Sequence, residues 1–285
     1  MNLNPRLEKI KHLLACPFCY HELSYQEEHA SCVNCNNDYP VRNGKIYFIS
    51  VPKYDDEMDT LKGKLKKLLG TYYYSIGINV IAPTYPFNYL KEIKKRANLS
   101  KEIVVDVGCG NHRIHPDIIG LDIFDYDAVD LVCDLEKLPF RPGTIDVFAS
   151  RSVIEHIPNP LTVIEKIHES TKKGGYSIHC IPFLFPFHAS PYDFQRYTHK
   201  GLDRLFQSWK KIDQRNITGP ISTMLVNWIE FLSVVFCFKS NKLRSYLYLI
   251  FCGIFFPFKY LDYFFINSKD YFSLAASFLM VVQKE

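Results

Sequence analysis

Residues 102–110 read Glu-Ile-Val-Val-Asp-Val-Gly-Cys-Gly. An apolar run broken by one acid and closed by two glycines spells a buried strand that ends in a tight turn. Gly108 and Gly110 let the backbone bend sharply and approach a ligand at the carboxyl end of that strand, where open α/β sheets bind their ligands. Arg113 stands where a dinucleotide fingerprint has its third glycine, which argues against a nicotinamide cofactor.

Further strands follow downstream: IIGLDIF (118–124), VDLVCDL (129–135), TIDVFASRS (144–152) and YSIHCIPF (176–183). A helix from about Pro160 to Thr171 is expected between the last two, closed by Lys172-Lys173-Gly174-Gly175. GLDRLFQSW then reads as a helix, KKIDQRNI as a strand, and SLAASFLMVVQKE as a terminal strand. Apolar runs of strand length alternating with turns and helices predict an α/β fold with a parallel sheet covered on both faces. Only residues 111–121 separate Gly110 from Asp122. With IIGL in the strand, NHRIHPD remains, interrupted by Pro116, so the helix between the first two strands is a single turn or absent.

The chain has 285 residues, 47% hydrophobic and 22% charged, which excludes a disordered chain. Lys and Arg number 34 against 30 Asp and Glu, too mild a balance to argue for nucleic acid on charge alone. Nine cysteines are scattered, apart from four near the start. MNLNPRLEKIKHLL is followed by no apolar targeting segment, so a reducing, cytoplasmic setting is expected.

Those four, Cys16-Pro-Phe-Cys19 and Cys32-Val-Asn-Cys35, form two C-x2-C knuckles. Each sets two thiolates on one turn, and two turns supply tetrahedral zinc. Four sulfurs leave no open position, so the metal is expected to be structural, in a segment too small to fold on its own core. A redox pair and a partner-binding platform are the weaker readings. The organisation expected is a zinc ribbon over 1–50, a linker with leading helices over 51–95, and a catalytic domain over 96–285.

DVGCG, GLDI, CDLEKLPF, TIDVFASRSVIEHIPNP and GGYSIHCIPF, in that order, resemble the class I S-adenosylmethionine-dependent methyltransferases of the type 11 kind. The knuckles with YPVRNG resemble a Trm112-like zinc ribbon. The resemblance implies a Rossmann-like seven-stranded methyltransferase sheet with S-adenosylmethionine as cofactor. It places Asp106 and the turn Gly108–Gly110 beside the methionine part of the cofactor and Asp122 on the ribose. Asp134 and Leu135 would border the adenine, with Arg151 and Ser152 beside the sulfonium. With the first helix shortened, Asn111 and Arg113 are expected to hold the cofactor carboxylate, unless Arg113 is a surface charge.

Methyl transfer is a displacement that the protein aligns and sometimes assists with a base. Groups beyond the fourth and fifth strands are the candidates: Glu155-His156, then His188 in PFHASPYDFQRYT, followed by Tyr192, Asp193, Arg196 and Tyr197. His188 is the expected base, with His156 and Asp193 alongside it. His179, inside a strand, reads as structural.

Aromatics make up 15% of the chain, and many lie in residues 217–270, between the sixth and last strands. MLVNWIEFLSVVFCF and SYLYLIFCGIFFPF flank Lys239, Lys242 and Arg244. This helical insertion either caps the active site as ordinary core or lies in a membrane interface; a transmembrane hairpin is the least favoured reading. The expected acceptor is a small molecule, a glycan or a lipid-linked compound, reached at the cytoplasmic side of a membrane. Two alternatives stand beside it. One is an RNA base methyltransferase using Lys62, Lys64, Lys66, Lys67, Lys94, Lys95 and Arg96 on phosphates. The other is a non-catalytic ribbon protein with a degenerate cofactor site.

Overall fold

The computed structural model of the chain describes residues 3–52, 68–70, 72, 76–77, 80–188, 192–266 and 272–285. The acidic run 55–57 and Lys62, Lys64, Lys66 and Lys67 lie outside the described residues.

The strand that opens the reading, β5 (Val104–Val107), is buried at all four positions. Val105 and Val107 join one apolar core and Val104 the other, as the two-residue period of a strand dictates. Around it lie β1 (Leu23–Tyr25), β2 (His29–Cys32), β3 (Asp38–Arg42), β4 (Lys45–Tyr47), β6 (Ile119–Asp122), β7 (Leu131–Val132), β8 (Ile145–Arg151), β9 (Thr171–Pro182), β10 (Lys210–Asn216) and β11 (Ser277–Gln283). Their order in space is β1-β2-β3-β4-β7-β6-β5-β8-β9-β11-β10. The run from β7 to β9 is parallel, and β11 is antiparallel to both β9 and β10. The last seven strands in that order form the seven-stranded sheet that the resemblance implies. The order reverses between β5 and β8, so a crevice opens there at the carboxyl edge.

The N-terminal strands extend the same sheet, because β4 pairs in parallel with β7 through Ile46↔Leu131 and Tyr47↔Val132. Helix α1 (Pro5–Ile10) is capped by Asn4, whose side chain accepts from the backbone N–H groups of Arg6 and Leu7. Leu7, Ile10, Leu14 and Ile46 are buried in the core that also holds Leu131, Phe140 and Phe148.

Helix α2 (Tyr89–Lys94) precedes β5, and α3 (Pro160–Ser170) follows β8. The expectation that Lys172-Lys173-Gly174-Gly175 closes α3 is corrected. The helix ends on Thr171, whose backbone is extended, and the four residues belong to β9. There the register with β8 jumps from Ile145↔Thr171 to Val147↔Tyr176, and Gly174 at φ +80° takes up the slack as a bulge.

Helix α4 (His199–Leu205) leads to β10. The insertion then forms α5 (Pro220–Val235), α6 (Asn241–Phe255) and a 3-10 run over Phe256–Phe264. It leaves β10 at Asn216, opposite Phe278, and Ser277 at the return lies opposite Pro182 at the end of β9. The insertion therefore stands on the carboxyl edge of the parallel strands. Asn227 Nδ2 fastens it there by donating to the Leu184 carbonyl at 3.1 Å.

Candidate active site

The turn after β5 is stitched to the end of β6. Gly108 N donates to the Leu121 carbonyl at 2.7 Å, and Gly110 N donates to Asp122 Oδ2 at 2.9 Å. Gly108 is required twice over. Its φ is +66°, and a Cβ there would lie 2.4 Å from Val153 Cγ2. That contact sets the turn against the segment that follows β8.

Two buried carboxylates flank the turn. Asp106 Oδ1 accepts from the Tyr89 hydroxyl at 3.4 Å. Burial pushes Asp106 up to about 7, opposed by the charge of Arg151. Burial also raises Asp122, against the hydrogen bonds it accepts from the backbone of Phe124 and Gly110. Asp134 caps a short 3-10 turn that begins at Leu135, its side chain accepting from Glu136 N at 3.0 Å. Arg151 and Asn111 are exposed.

Residues 108–118 form no helix, as the spacing predicts. Arg113 departs from its expected role at a cofactor carboxylate. Its guanidinium bonds Asp130 at 2.9 and 3.1 Å, the Ile118 carbonyl at 2.8 Å and the Ala128 carbonyl at 2.6 Å. A loop without helical hydrogen bonds needs another fastening, and Arg113 supplies it. Asp130, fully buried, also accepts from Arg6 and from Gly120 N. Burial opposes its charge, but the hydrogen bonds from the two arginines hold its carboxyl below the usual range.

Beyond the ends of β8 and β9 the structure gathers three groups from two segments. Glu155 and His156 follow β8 on a 3-10 turn, and His188 follows β9. His156 Nε2 and His188 Nε2 lie 3.7 and 3.6 Å from Glu155 Oε1. The two imidazoles meet edge to face at 5.0 Å. The segments are tied by Phe194 N donating to the Glu155 carbonyl at 2.8 Å and Gln195 Nε2 donating to the Ile157 carbonyl at 2.7 Å. Asp193 accepts from His188 N at 2.9 Å and from Arg196. Burial works against the Asp193 charge, yet the Arg196 bonds hold its carboxyl low. His188 Nε2 faces the Glu155 carboxylate, and the three residues expected there, His188, His156 and Asp193, lie together around it. Pro191, in the same loop, lies outside the described residues.

His179 is structural. Its ring nitrogens sit 2.7 Å from Ser150 Oγ and 2.7 Å from Ser177 Oγ, and burial pushes it down to about 3.

At the N-terminus the four thiols converge. Cys16 and Cys35 Sγ are 3.6 Å apart, Cys19 and Cys32 3.3 Å, and Cys19 and Cys35 3.5 Å. Four sulfurs at ~2.3 Å from one ion stand ~3.8 Å apart, so the donor set fits a tetrahedral metal. The knuckles match: Tyr20 N bonds the Cys16 carbonyl and Asn36 N the Cys32 carbonyl, with φ of +58° and +57° at Tyr20 and Asn36. The Tyr39 hydroxyl lies 3.0 Å from Cys16 Sγ.

The insertion buries small polar groups beside Val226, Ile229 and Cys252 and leaves large aromatics exposed. Ser222, Thr223, Ser233, Ser245, Lys259 and Asp262 are buried, whereas Trp228, Phe231, Phe238, Ile254, Tyr263 and Phe264 are exposed. Asp262 caps α5 by accepting from Ile221 N and Ser222 N, and Lys259 Nζ donates to the carbonyls of Val80 and Ala82 at 2.7 Å each. Among the described residues, the helical run 241–264 alone is long and apolar enough to cross a membrane, with mean hydropathy 1.3 and 17% of its window buried. Of the basic trio near α2, Lys95 pairs with Glu92 at 2.7 Å and Arg96 lies over the Tyr176 ring.

Sequence reasoning missed Tyr89 and Asp130. The signal for Asp130 was present: a charge inside the apolar run VDLVCDL demands a buried partner. Tyr89 gave none.

Residues 84–224 match a family described as a methyltransferase domain. Among solved structures, the chain is similar to phosphoethanolamine N-methyltransferase 2 of Haemonchus contortus, bound to phosphomonomethylethanolamine and S-adenosylhomocysteine. The identity is 14% and the TM-score 0.46, covering 78% of this chain and 60% of that one. It is also similar to the 1,6-didemethyltoxoflavin-N1-methyltransferase of Burkholderia thailandensis, bound to 1,6-didemethyltoxoflavin and S-adenosylhomocysteine. There the identity is 11% and the TM-score 0.42, covering 90% of this chain and 99% of that one. No curated protein matches in sequence.

Proposed function

Residues 84–224 match a methyltransferase domain, and from that premise we propose that the chain transfers the methyl group of S-adenosylmethionine to a lipid or lipid-linked acceptor at a membrane surface. The observation that carries this reading is the exposed aromatic surface of the insertion on the carboxyl edge of the sheet. A water-facing helical pair hides its aromatics; this one exposes Trp228, Phe231, Phe238, Tyr263 and Phe264, while Ser222, Thr223, Ser233 and Ser245 are buried beside Val226, Ile229 and Cys252. Small residues between helices and aromatics outside are the distribution lipid favours. Lys239 in the turn after α5 and Lys242 at the start of α6, both exposed, suit anionic headgroups. Both ends of the insertion return to one sheet edge, which favours lying in the interface over crossing the bilayer.

In this reading S-adenosylmethionine lies over the Gly108–Gly110 turn. Asp122 takes the ribose hydroxyls, Asp134 and Leu135 border the adenine, and Asp106 and Arg151 flank the methionine end. Asn111 remains beside the carboxylate after Arg113 is committed to Asp130. The cofactor supplies an electrophilic methyl group. The chain's part is to hold acceptor and cofactor in line, with Glu155, His156, His188 and Asp193 on the acceptor side. The four cysteines hold structural zinc, which fixes the ribbon against β7.

The test is twofold. Isothermal calorimetry should show one S-adenosylmethionine per chain and none for Asp122→Ala. Flotation with vesicles of anionic lipid should carry the protein upward. Absence of cofactor binding in the wild type overturns the enzymatic reading, and absence of flotation overturns the membrane reading.

A further inference from the structure

We propose that Glu155, His156 and His188 form a binding site for a divalent transition-metal ion, zinc foremost, separate from the four-cysteine cluster. The three residues offer one ligand atom each, all within 4.8 Å of one another. Glu155 is fully buried, and neither carboxylate oxygen has a hydrogen-bond partner among the described residues. Its neighbours at 3.6 and 3.7 Å stand beyond hydrogen-bond reach. A buried carboxylate left without donors is costly. A cation between the three atoms resolves it. Donors ~2.1 Å from a common ion lie about 3.0–3.5 Å apart, so the two Glu155–His contacts close by a few tenths of an ångström, and all three donors already stand within 4.8 Å of one another.

The imidazoles are oriented for it. His156 Nδ1 is bonded to the Tyr192 carbonyl, and His188 Nδ1 lies 3.2 Å from the Pro186 carbonyl. A carbonyl only accepts, so His156 Nδ1 carries the hydrogen and its Nε2 turns its lone pair toward Glu155; His188 Nδ1, nearer its carbonyl than the Arg196 guanidinium at 3.4 Å, takes the same form. Metal-binding histidines are held in this way by their second nitrogen. Asp193 holds the loop behind the His188 ring, accepting from His188 N at 2.9 Å and from Arg196. The hydrogen bonds from Phe194 N and Gln195 Nε2 to the carbonyls of Glu155 and Ile157 assemble the two segments without the ion.

Two imidazoles and one carboxylate suit zinc and its first-row neighbours, and three protein donors leave a position open. Val153, two residues before Glu155, packs on Gly108, which puts the site beside the cofactor turn. The open position then takes an oxygen of the acceptor, a hydroxyl or a phosphate. This last step rests on the proposed methyl transfer; the ion site itself does not.

The full chain is loaded with zinc, dialysed, and its bound metal counted by plasma mass spectrometry. Glu155→Gln and His188→Ala are each expected to hold one equivalent less than the wild type. Cobalt substitution should show visible bands, free of thiolate charge transfer, that vanish in both variants. Circular dichroism checks folding. Because His188 lies in a surface loop, His188→Ala decides the matter where Glu155→Gln fails to fold. Equal metal content in wild type and variants overturns the proposal. Calorimetry with S-adenosylmethionine on the same wild-type preparation reports separately on the methyltransferase reading.

Discussion

Arg113 and Asp130 form a two-pronged pair, with one guanidinium amino group donating to each carboxylate oxygen, at 2.9 and 3.1 Å. The pair stands where a first helix would otherwise secure the loop after the glycine turn. Asp130 carries Arg6 from the N-terminal segment as well, so one buried carboxylate locks the ribbon, the loop and β6 together.

Arg113→Ala should therefore act on stability more than on cofactor affinity. Removing one partner of a buried pair costs about 2–4 kcal/mol, with Arg6 left to hold part of the charge. Denaturant unfolding should show that loss. Calorimetry on the folded fraction should show S-adenosylmethionine affinity within a few-fold of wild type. A selective loss of affinity at unchanged stability would return Arg113 to the cofactor carboxylate.

Gly108→Ala meets both a left-handed backbone and the Val153 side chain. The backbone penalty is ~1–2 kcal/mol, and overpacking adds ~1–3 kcal/mol. Cofactor binding should disappear from calorimetry. Val153→Ala in the same chain should recover part of the stability but not the backbone share.

Metal removal from the cysteine cluster should reach beyond the ribbon. Because β4 pairs with β7, chelation is expected to raise amide exchange at Leu131 and Val132 as well as around Cys16 and Cys32. Exchange confined to the knuckles would mean that the ribbon holds its place on apolar contacts alone.

Phe238 and Lys239 sit side by side with φ of +46° and +64°, and Phe238 is 82% exposed. A strained turn that presents a bare phenylalanine beside a cation is suited to an interface. Phe238→Ser should weaken vesicle partition by about tenfold, the loss of ~1–2 kcal/mol of apolar transfer. Unchanged flotation would remove this turn from the membrane contact.

His179 gives a pH signature. In the unfolded chain an imidazole titrates near ~6.5, whereas burial holds this one down to about 3. Between those values the unfolded state binds a proton that the native state refuses. Stability therefore falls as pH drops from ~6.5, by about 2 kcal/mol on reaching pH 5. Denaturant midpoints at pH 7 and 5 should show this fall, and His179→Gln should flatten it.

The sequence by itself determined the parallel core. Five strands, a terminal strand and a missing first helix are local matters of apolar period, glycine placement and one proline, and each emerges in the structure. It also determined the two cysteine knuckles, because ligand spacing within a turn is fixed by the chain. The closure of α3 escaped it, since a Gly-Gly pair serves a helix end and a strand bulge equally well, and only pairing with β8 chooses. Arg113 escaped for a related reason. A guanidinium in a loop is free to face a ligand or a carboxylate 17 residues away, and the partner is set by which strands lie adjacent. The convergence of Glu155, His156 and His188 and the outward face of the insertion belong wholly to tertiary structure. Both depend on how separate segments meet in space, and a one-dimensional pattern does not record which side of a helix remains uncovered.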